Sequence, residues 1–231
     1  MVNAGLISGS IAKGVYFSFG GSVSNAADGT IVGTEGVRFG GQSGSVVNAG
    51  TIGGTASNGV DLQAGGSVTN QSGGTISGNS NGIYAGYGAA SVVNGGLIVG
   101  TNASGVTFNV GGAVTNQAGG TISGYYSAVR TSTYQFLTLT NAGLLESRSD
   151  FFWGIGAGDG ASITNQSSGK ISGHYGIAVD GIHHNGPSTL VNAGTIEGLT
   201  GGAGASGVHF QRGGSIVNLS SGTIAGYSGV T

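Results

Sequence analysis

The chain contains no cysteine and a single proline, Pro187, in 231 residues. Without cysteine there is no disulfide framework, so burial and backbone hydrogen bonds must hold the fold. Charged side chains make up only 6% of the residues, against roughly 25% in an ordinary soluble domain. The net charge of −2 comes with no basic patch, so no nucleic-acid partner is expected. No run of about 18 apolar residues occurs, so no membrane-spanning helix is expected in this segment. Met1-Val2-Asn3 reads as part of a repeat rather than as a leader. Tyr227-Ser228-Gly229-Val230-Thr231 stops partway through a repeat, and the expectation is a segment cut from a longer protein.

What the chain has in excess is glycine, 53 residues of it. That much glycine without a Gly-X-Y period would suggest low complexity, were it not for a repeat. Ser67-Val68-Thr69-Asn70-Gln71-Ser72-Gly73-Gly74-Thr75-Ile76-Ser77-Gly78 returns nearly unchanged at Ala113–Gly124 and at Ser162–Gly173. Aligning every copy sets one asparagine in register each time: Asn3, Asn25, Asn48, Asn70, Asn94, Asn116, Asn141, Asn165, Asn192 and Asn218. The spacings run from 22 to 27 residues, the period of a solenoid.

Each unit holds three short strand-like pieces, exemplified by Val68-Thr69-Asn70, Gly74-Thr75-Ile76-Ser77-Gly78 and Gly59-Val60-Asp61-Leu62. Gly, Asn and Ser cluster between them, which is turn chemistry. Three strands and three turns per unit predict a three-sided parallel β-helix of about ten rungs, a single domain over residues 1–231. At about 4.8 Å per rung the rod is on the order of 45–50 Å long. Strand alternation assigns the inward columns. The first runs through Val23, Val46, Val68 and their equivalents, the second through Ile31, Ile52 and Ile76, and the third through Val37, Val60 and Ile83. A partial aromatic column at Phe17, Phe39, Phe108 and Phe210 follows two residues later.

The asparagine column points inward as well. A buried amide is costly unless bonded, and stacked amides can donate to one rung and accept from the other. An internal asparagine ladder is therefore expected, with a structural role. Units alternate between a short form, Asn48-Ala49-Gly50-Thr51-Ile52, and a long form, Asn70-Gln71-Ser72-Gly73-Gly74-Thr75-Ile76, so the ancestral unit spans two rungs.

Regularity fails over about residues 125–190. Tyr125-Tyr126 opens a stretch lacking the usual Gly-Gly turn and containing Tyr134; Arg148-Ser149-Asp150-Phe151-Phe152-Trp153 follows, with the only Trp. Insertions in a solenoid map to loops, and loops carry function. Tyr125, Tyr126, Tyr134, Phe151, Phe152 and Trp153 are accordingly the candidate binding residues, because loop aromatics stack on sugars or anchor protein partners. Their structural alternative is to cover core left open by the missing turn.

Catalytic and metal chemistry find less support. The eight acids, Asp28, Glu35, Asp61, Glu146, Asp150, Asp159, Asp180 and Glu197, fall in different rungs and mostly at different rung positions. Glu146 and Glu197 share a register two rungs apart, about 9–10 Å, which is loose for an inverting pair. His174, Asp180, His183 and His184 match no standard zinc spacing, and no metal or cofactor is expected. Gly202-Ala203-Gly204-Ala205-Ser206-Gly207 precedes a strand pattern rather than a helix, which rules against a dinucleotide loop. The threonines at 30, 51, 75, 121, 195 and 223 form an outward array interrupted by Leu6, Leu97, Leu144 and Lys170, against an ice-binding surface. Arg38 and Asp61 fall in one outward column of adjacent rungs, suggesting an ordinary surface pair worth about 0.2–1 kcal/mol.

The Val-Asn-Ala-Gly-Thr-Ile and Asn-Gln-x-Gly-Gly-Thr-Ile-Ser-Gly units, with abundant glycine, few charges and no cysteine, resemble the passenger repeats of bacterial autotransporter adhesins along essentially the whole chain. The resemblance implies a right-handed parallel β-helix, displayed on the bacterial surface or extracellularly and anchored by a C-terminal β-barrel domain outside this sequence. It implies a non-catalytic rod mediating attachment or self-association, with a glycan or protein of a host or neighbouring cell as partner. The alternative is a polysaccharide lyase or hydrolase built on the same helix and using the irregular rungs. An uncapped β-helix also exposes unpaired backbone at its ends, so end-to-end association of the isolated segment is expected.

Overall fold

A computed structural model of the chain describes residues 1–180, 188–199 and 204–231. They form a parallel β-solenoid of about nine turns. Each face stacks ten strands in parallel register. The first face carries the strands ending in the aligned asparagines, from Val2–Asn3 to Gly214–Asn218. The second is a separate ten-stranded sheet from Leu6–Ser8 to Thr223–Ala225. The third runs from Val15–Phe17 to Ser228–Val230. Rungs are numbered here one to ten by their asparagine. Among the described residues no helix forms, and none is long and apolar enough to cross a membrane.

The expected inward columns are the core. Ile31, Ile52, Ile76, Ile98, Ile122, Leu145, Ile171 and Ile196 stack on the second face, paired residue on residue and fully buried. Val23, Val46, Val68, Val92, Val114, Leu139, Ile163 and Leu190 do the same on the first. The parallel register makes each of these columns branched aliphatic throughout, so like side chains nest on one another.

Where the third face turns into the first, a large side chain on one strand excludes a side chain at the start of the next. Phe39 is fully buried, and a Cβ built on Gly44, the first residue of the next strand, would fall 2.2 Å from the Phe39 ring. Phe108 stands in the same relation to Gly112, and Phe210 to Gly214. In rung four the ring is replaced by Ala85, and the following strand opens with buried Ala90 instead of glycine. A ring leaves no room for a facing side chain, and where the ring is absent a methyl group is admitted.

The asparagine ladder closes as expected. Each Nδ2 donates to the Oδ1 of the next rung in nine unbroken steps of 2.8–2.9 Å, from Asn3 to Asn25, Asn48, Asn70, Asn94, Asn116, Asn141, Asn165, Asn192 and Asn218. The same nitrogen also donates to a glycine carbonyl within its own turn. That glycine is two residues on in short units, as Asn48 to Gly50, and four in long units, as Asn70 to Gly74. The two turn forms thus place a carbonyl at one point by different routes, which is why they can alternate without breaking the stack.

The irregular region holds a finding the repeat did not foretell. The expected loops are two long strands, Val129–Asn141 and Ile155–Asn165, each running continuously from the third face of one rung to the first face of the next. They pair with each other with two register shifts, between Arg130 and Thr133 and between Thr133 and Phe136. Extra residues are absorbed as bulges within a ladder, which keeps backbone groups paired where a loop would release them. Just before the first long strand, Ala128 occupies a position held by glycine in other rungs (Gly36, Gly59, Gly82, Gly105). Its amide and that of Val129 share a single acceptor, the Gly154 carbonyl, at 3.0 and 3.3 Å. Elsewhere each amide has its own acceptor, as Gly105 on Ser127 and Val106 on Ala128.

Candidate functional site

The corner between the second and third faces changes character along the rod. In rungs three and four it carries Asn58 and Asn81, whose amides bond to each other at 3.0 Å. In rungs six to eight it carries aromatic residues: Tyr125 and Tyr126, then Phe151, Phe152 and Trp153, then His174 and Tyr175. Tyr126 meets Tyr125 edge-on at 5.4 Å between ring centroids and Phe152 at 4.5 Å. Phe151 is 78% exposed and Tyr125 46%. Arg148 spans this corner and donates from Nη2 to the carbonyls of Gly100 and Thr101, two rungs back. Below the rings, the Ser123 and Ser127 hydroxyls and His174 Nδ1 are buried without a protein partner among the described residues.

The structure therefore brings five of the six candidate aromatics to one corner and divides their roles. Tyr126 and Phe152 pack on each other; Tyr125 and Phe151 project. Trp153 turns inward over the third face, where a Cβ at Gly156 would fall 2.5 Å from its ring carbon Cε3. Tyr134 stands apart, beyond the far edge of the third face. Its backbone φ is +71°, the left-handed region that a tyrosine seldom adopts. His174 and Tyr175, in ring contact at 5.0 Å, extend the aromatic row, and Tyr175 reaches His209 at 5.6 Å. The signal for them lay in the register: Tyr175 follows Trp153 in the same corner position. His183 and His184 lie outside the described residues.

A second cluster corrects two sequence readings. Glu35 and Asp61 fall in different rungs and register positions, yet Arg38 joins them. Its Nη1 lies 2.9 Å from Glu35 Oε1 and 3.4 Å from Asp61 Oδ2, and Lys13 Nζ lies 3.5 Å from Glu35 Oε2. Gln63 donates to Asp61 Oδ1 at 2.8 Å. The Arg38–Asp61 pair is no ordinary surface contact, because Asp61 is 2% exposed and Glu35 8%. A side chain on the outer side of a strand became buried because longer neighbours on adjacent rungs fold over it, which strand alternation alone does not register. Burial pushes the Asp61 carboxyl up to about 6, against the opposing pull of Gln63 and Arg38. Burial works against the Arg38 charge, and the two carboxylates more than offset it, so its pKa rises. Burial also raises the Tyr84 phenol, with the Asp61 charge adding to the effect.

The looser acid pair keeps its two-rung separation. Glu197 is engaged by Lys170 at 2.8 Å, and Glu146 aligns with Ser172 between them. On the second face, Gly53 leaves a gap between Val32 and Ser77, and a shallow groove of about 360 Å³ opens there among Thr51, Thr55, Asn79 and Thr101. Its lining carries no charge, and nothing in it converges on a reacting atom. Comparison with protein-family models, with curated proteins and with solved structures finds no match.

Proposed function

We propose that this chain is a non-catalytic extracellular rod of adhesin type, which attaches through its aromatic corner at rungs six and seven. The observation that carries the reading is the contrast between scaffold and corner. The core columns and the ladder repeat from rung to rung with every asparagine amide bonded, whereas Tyr125 and Phe151 project large aromatic surface at the corner where rungs three and four carry Asn58 and Asn81. Exposed aromatic rings on a rigid frame are what contact surfaces use to anchor a partner. The use of the acids supports the non-catalytic part: Glu35 and Asp61 are held by Arg38, and Glu197 by Lys170. Export to a bacterial surface and anchoring by a separate β-barrel belong to the same proposal, on the strength of the repeat motifs.

The test is attachment of beads bearing the chain to cells and to one another. Tyr125→Ala with Phe151→Ala removes the projecting rings and leaves the core untouched. Attachment should fall while the melting temperature holds. Unchanged attachment would reduce the segment to a spacer. A second reading, a polysaccharide-active enzyme, has one specific observation in its favour: Asp61 titrates near 6, in the range of a general acid, one hydrogen-bonded arginine away from Glu35. New reducing or unsaturated ends released from acidic polysaccharides, with or without calcium, and lost in Asp61→Asn, would establish it in place of the adhesin reading.

A further inference from the structure

The third face of rungs four to seven holds a set of groups that the aromatic corner does not use. We propose that this surface, centred on Arg130, is a binding site for a carboxylated saccharide of the uronic-acid class. The proposal rests on the adhesin reading for its biological role and deepens it by naming a ligand chemistry.

Arg130 points outward from its strand, is exposed, and has no ion pair among the described residues. Its ladder partner in rung seven is Gly156, and the bare backbone there is covered by the Trp153 ring. The Trp153 ring therefore lies over the ladder position next to Arg130, whose backbone is about one strand spacing away. Its partner on the other side is Thr107, and Thr107 pairs in turn with Tyr84. Two residues along from Arg130, Ser132 Oγ donates to Asn109 Oδ1 at 2.8 Å, and Asn109 Nδ2 donates to Tyr84 Oη at 2.6 Å. Rungs four, five and six are thus joined by a chain of hydroxyl and amide groups, with a cation and a ring at its end. Glu35 and Asp61, the acids on the earlier part of this face, are three or more rungs from Arg130 and are held by Arg38.

Each part has a counterpart on one kind of ligand. The forked guanidinium takes a carboxylate with two parallel hydrogen bonds. An indole face stacks on the apolar C–H face of a pyranose. Hydroxyl and amide groups donate to and accept from sugar hydroxyls. A neutral sugar would leave Arg130 unanswered, and a simple anion would leave the ring and the polar chain unused. Placement is fixed beforehand, since Gly156 leaves room for the ring and Asn109 holds the Tyr84 hydroxyl.

Trp153 is the only tryptophan in the chain, so its fluorescence reports this site directly. The experiment titrates the chain with oligogalacturonate and with the methyl ester of the same oligomer, read by tryptophan fluorescence and by calorimetry. The acid should give a saturable change, and the ester should bind roughly tenfold or more weakly, as should the acid to Arg130→Gln, since a hydrogen bond to a charged group is lost in each case. Gly156→Ala displaces the ring while leaving the core alone, and should weaken binding at an unchanged melting temperature. Absence of saturable binding by both readouts, equal binding of acid and ester, or wild-type affinity in Arg130→Gln overturns the proposal. Attachment that survives Arg130→Gln but falls with Tyr125→Ala and Phe151→Ala retains the adhesin reading and removes this site from it. Glycan binding without attachment does the reverse.

Discussion

Phe39 and Gly44 offer a test of how volume is shared inside the rod. A Cβ on Gly44 would stand 2.2, 2.3 and 2.6 Å from three carbons of the Phe39 ring and meets nothing else as close. Gly44→Ala therefore overpacks the core against one side chain, at a cost of about 1–3 kcal/mol. Phe39→Ala removes a fully buried ring that also stacks on Phe17 at 5.5 Å, and costs about 3–5 kcal/mol. Combined, the two changes create the pair that rung four already has, Ala85 with Ala90. The double variant should thus be more stable than the sum of the single effects predicts, by about 1–3 kcal/mol. Urea denaturation of the four proteins in the cycle, with matched m-values, measures that coupling. Additive costs would show that the ring and the glycine do not share space and that the Phe–Gly correspondence along the rod is incidental.

Other perturbations bear on the ladder, the charges and the corners. Asn116→Ala removes two ladder bonds, to Asn94 and Asn141, and the donations from Asn116 to the Gly120 and Leu144 carbonyls in a fully buried column, and should cost roughly 2–5 kcal/mol, whereas Asn218→Ala, at the exposed last step, should cost under about 1; equal costs in denaturant would refute a cooperative ladder. The Asp61 carboxyl is raised in the fold, so its contribution is fully present below the unfolded value of 3.8 and is lost as pH rises through about 6. Between those limits the wild type should lose up to about 3 kcal/mol relative to Asp61→Asn, and parallel stability curves for the two proteins would contradict the burial argument. Gly105→Ala places a methyl group 2.5 Å from Ile122 and 2.7 Å from the Ala128 carbonyl and should destabilise markedly, while Gly53→Ala meets nothing closer than 3.6 Å and should be neutral or stabilising in thermal melts. Lys170 and Glu197 are both half-exposed, so a double-mutant cycle on that pair should return no more than about 1 kcal/mol and vanish in high salt.

Most of the fold was legible in the sequence because a parallel stack translates period directly into contact. Asn70 lies against Asn48 and Asn94 for the same reason that its surrounding string repeats, and Ile76 lies on Ile52 and Ile98. Alternation within each piece then decided which side faced inward. The alternate turn lengths were visible as Asn-Ala-Gly and Asn-Gln strings, although the shared carbonyl position that reconciles them was not. The sites were less legible. Reading Tyr134 with Tyr125 and Phe152 treated an irregular stretch as one place, when the strand Val129–Asn141 carries it to the opposite edge of the third face. Glu35 and Asp61 looked unrelated because their meeting depends on the reach and rotamer of Arg38.

What the sequence determined by itself was the solenoid: three faces, about ten rungs, the residues of each core column and the asparagine ladder. These follow from local periodicity, and the invariant asparagine column leaves one register in which every rung is satisfied. What the tertiary structure alone decided was everything set by side chains leaning between rungs on the outer surface. It buried Asp61 on an outward position, laid Trp153 on Gly156, and joined Tyr84, Asn109 and Ser132 across three rungs. Those contacts depend on chain length, rotamer and the absence of a neighbouring Cβ, and no periodic pattern encodes them.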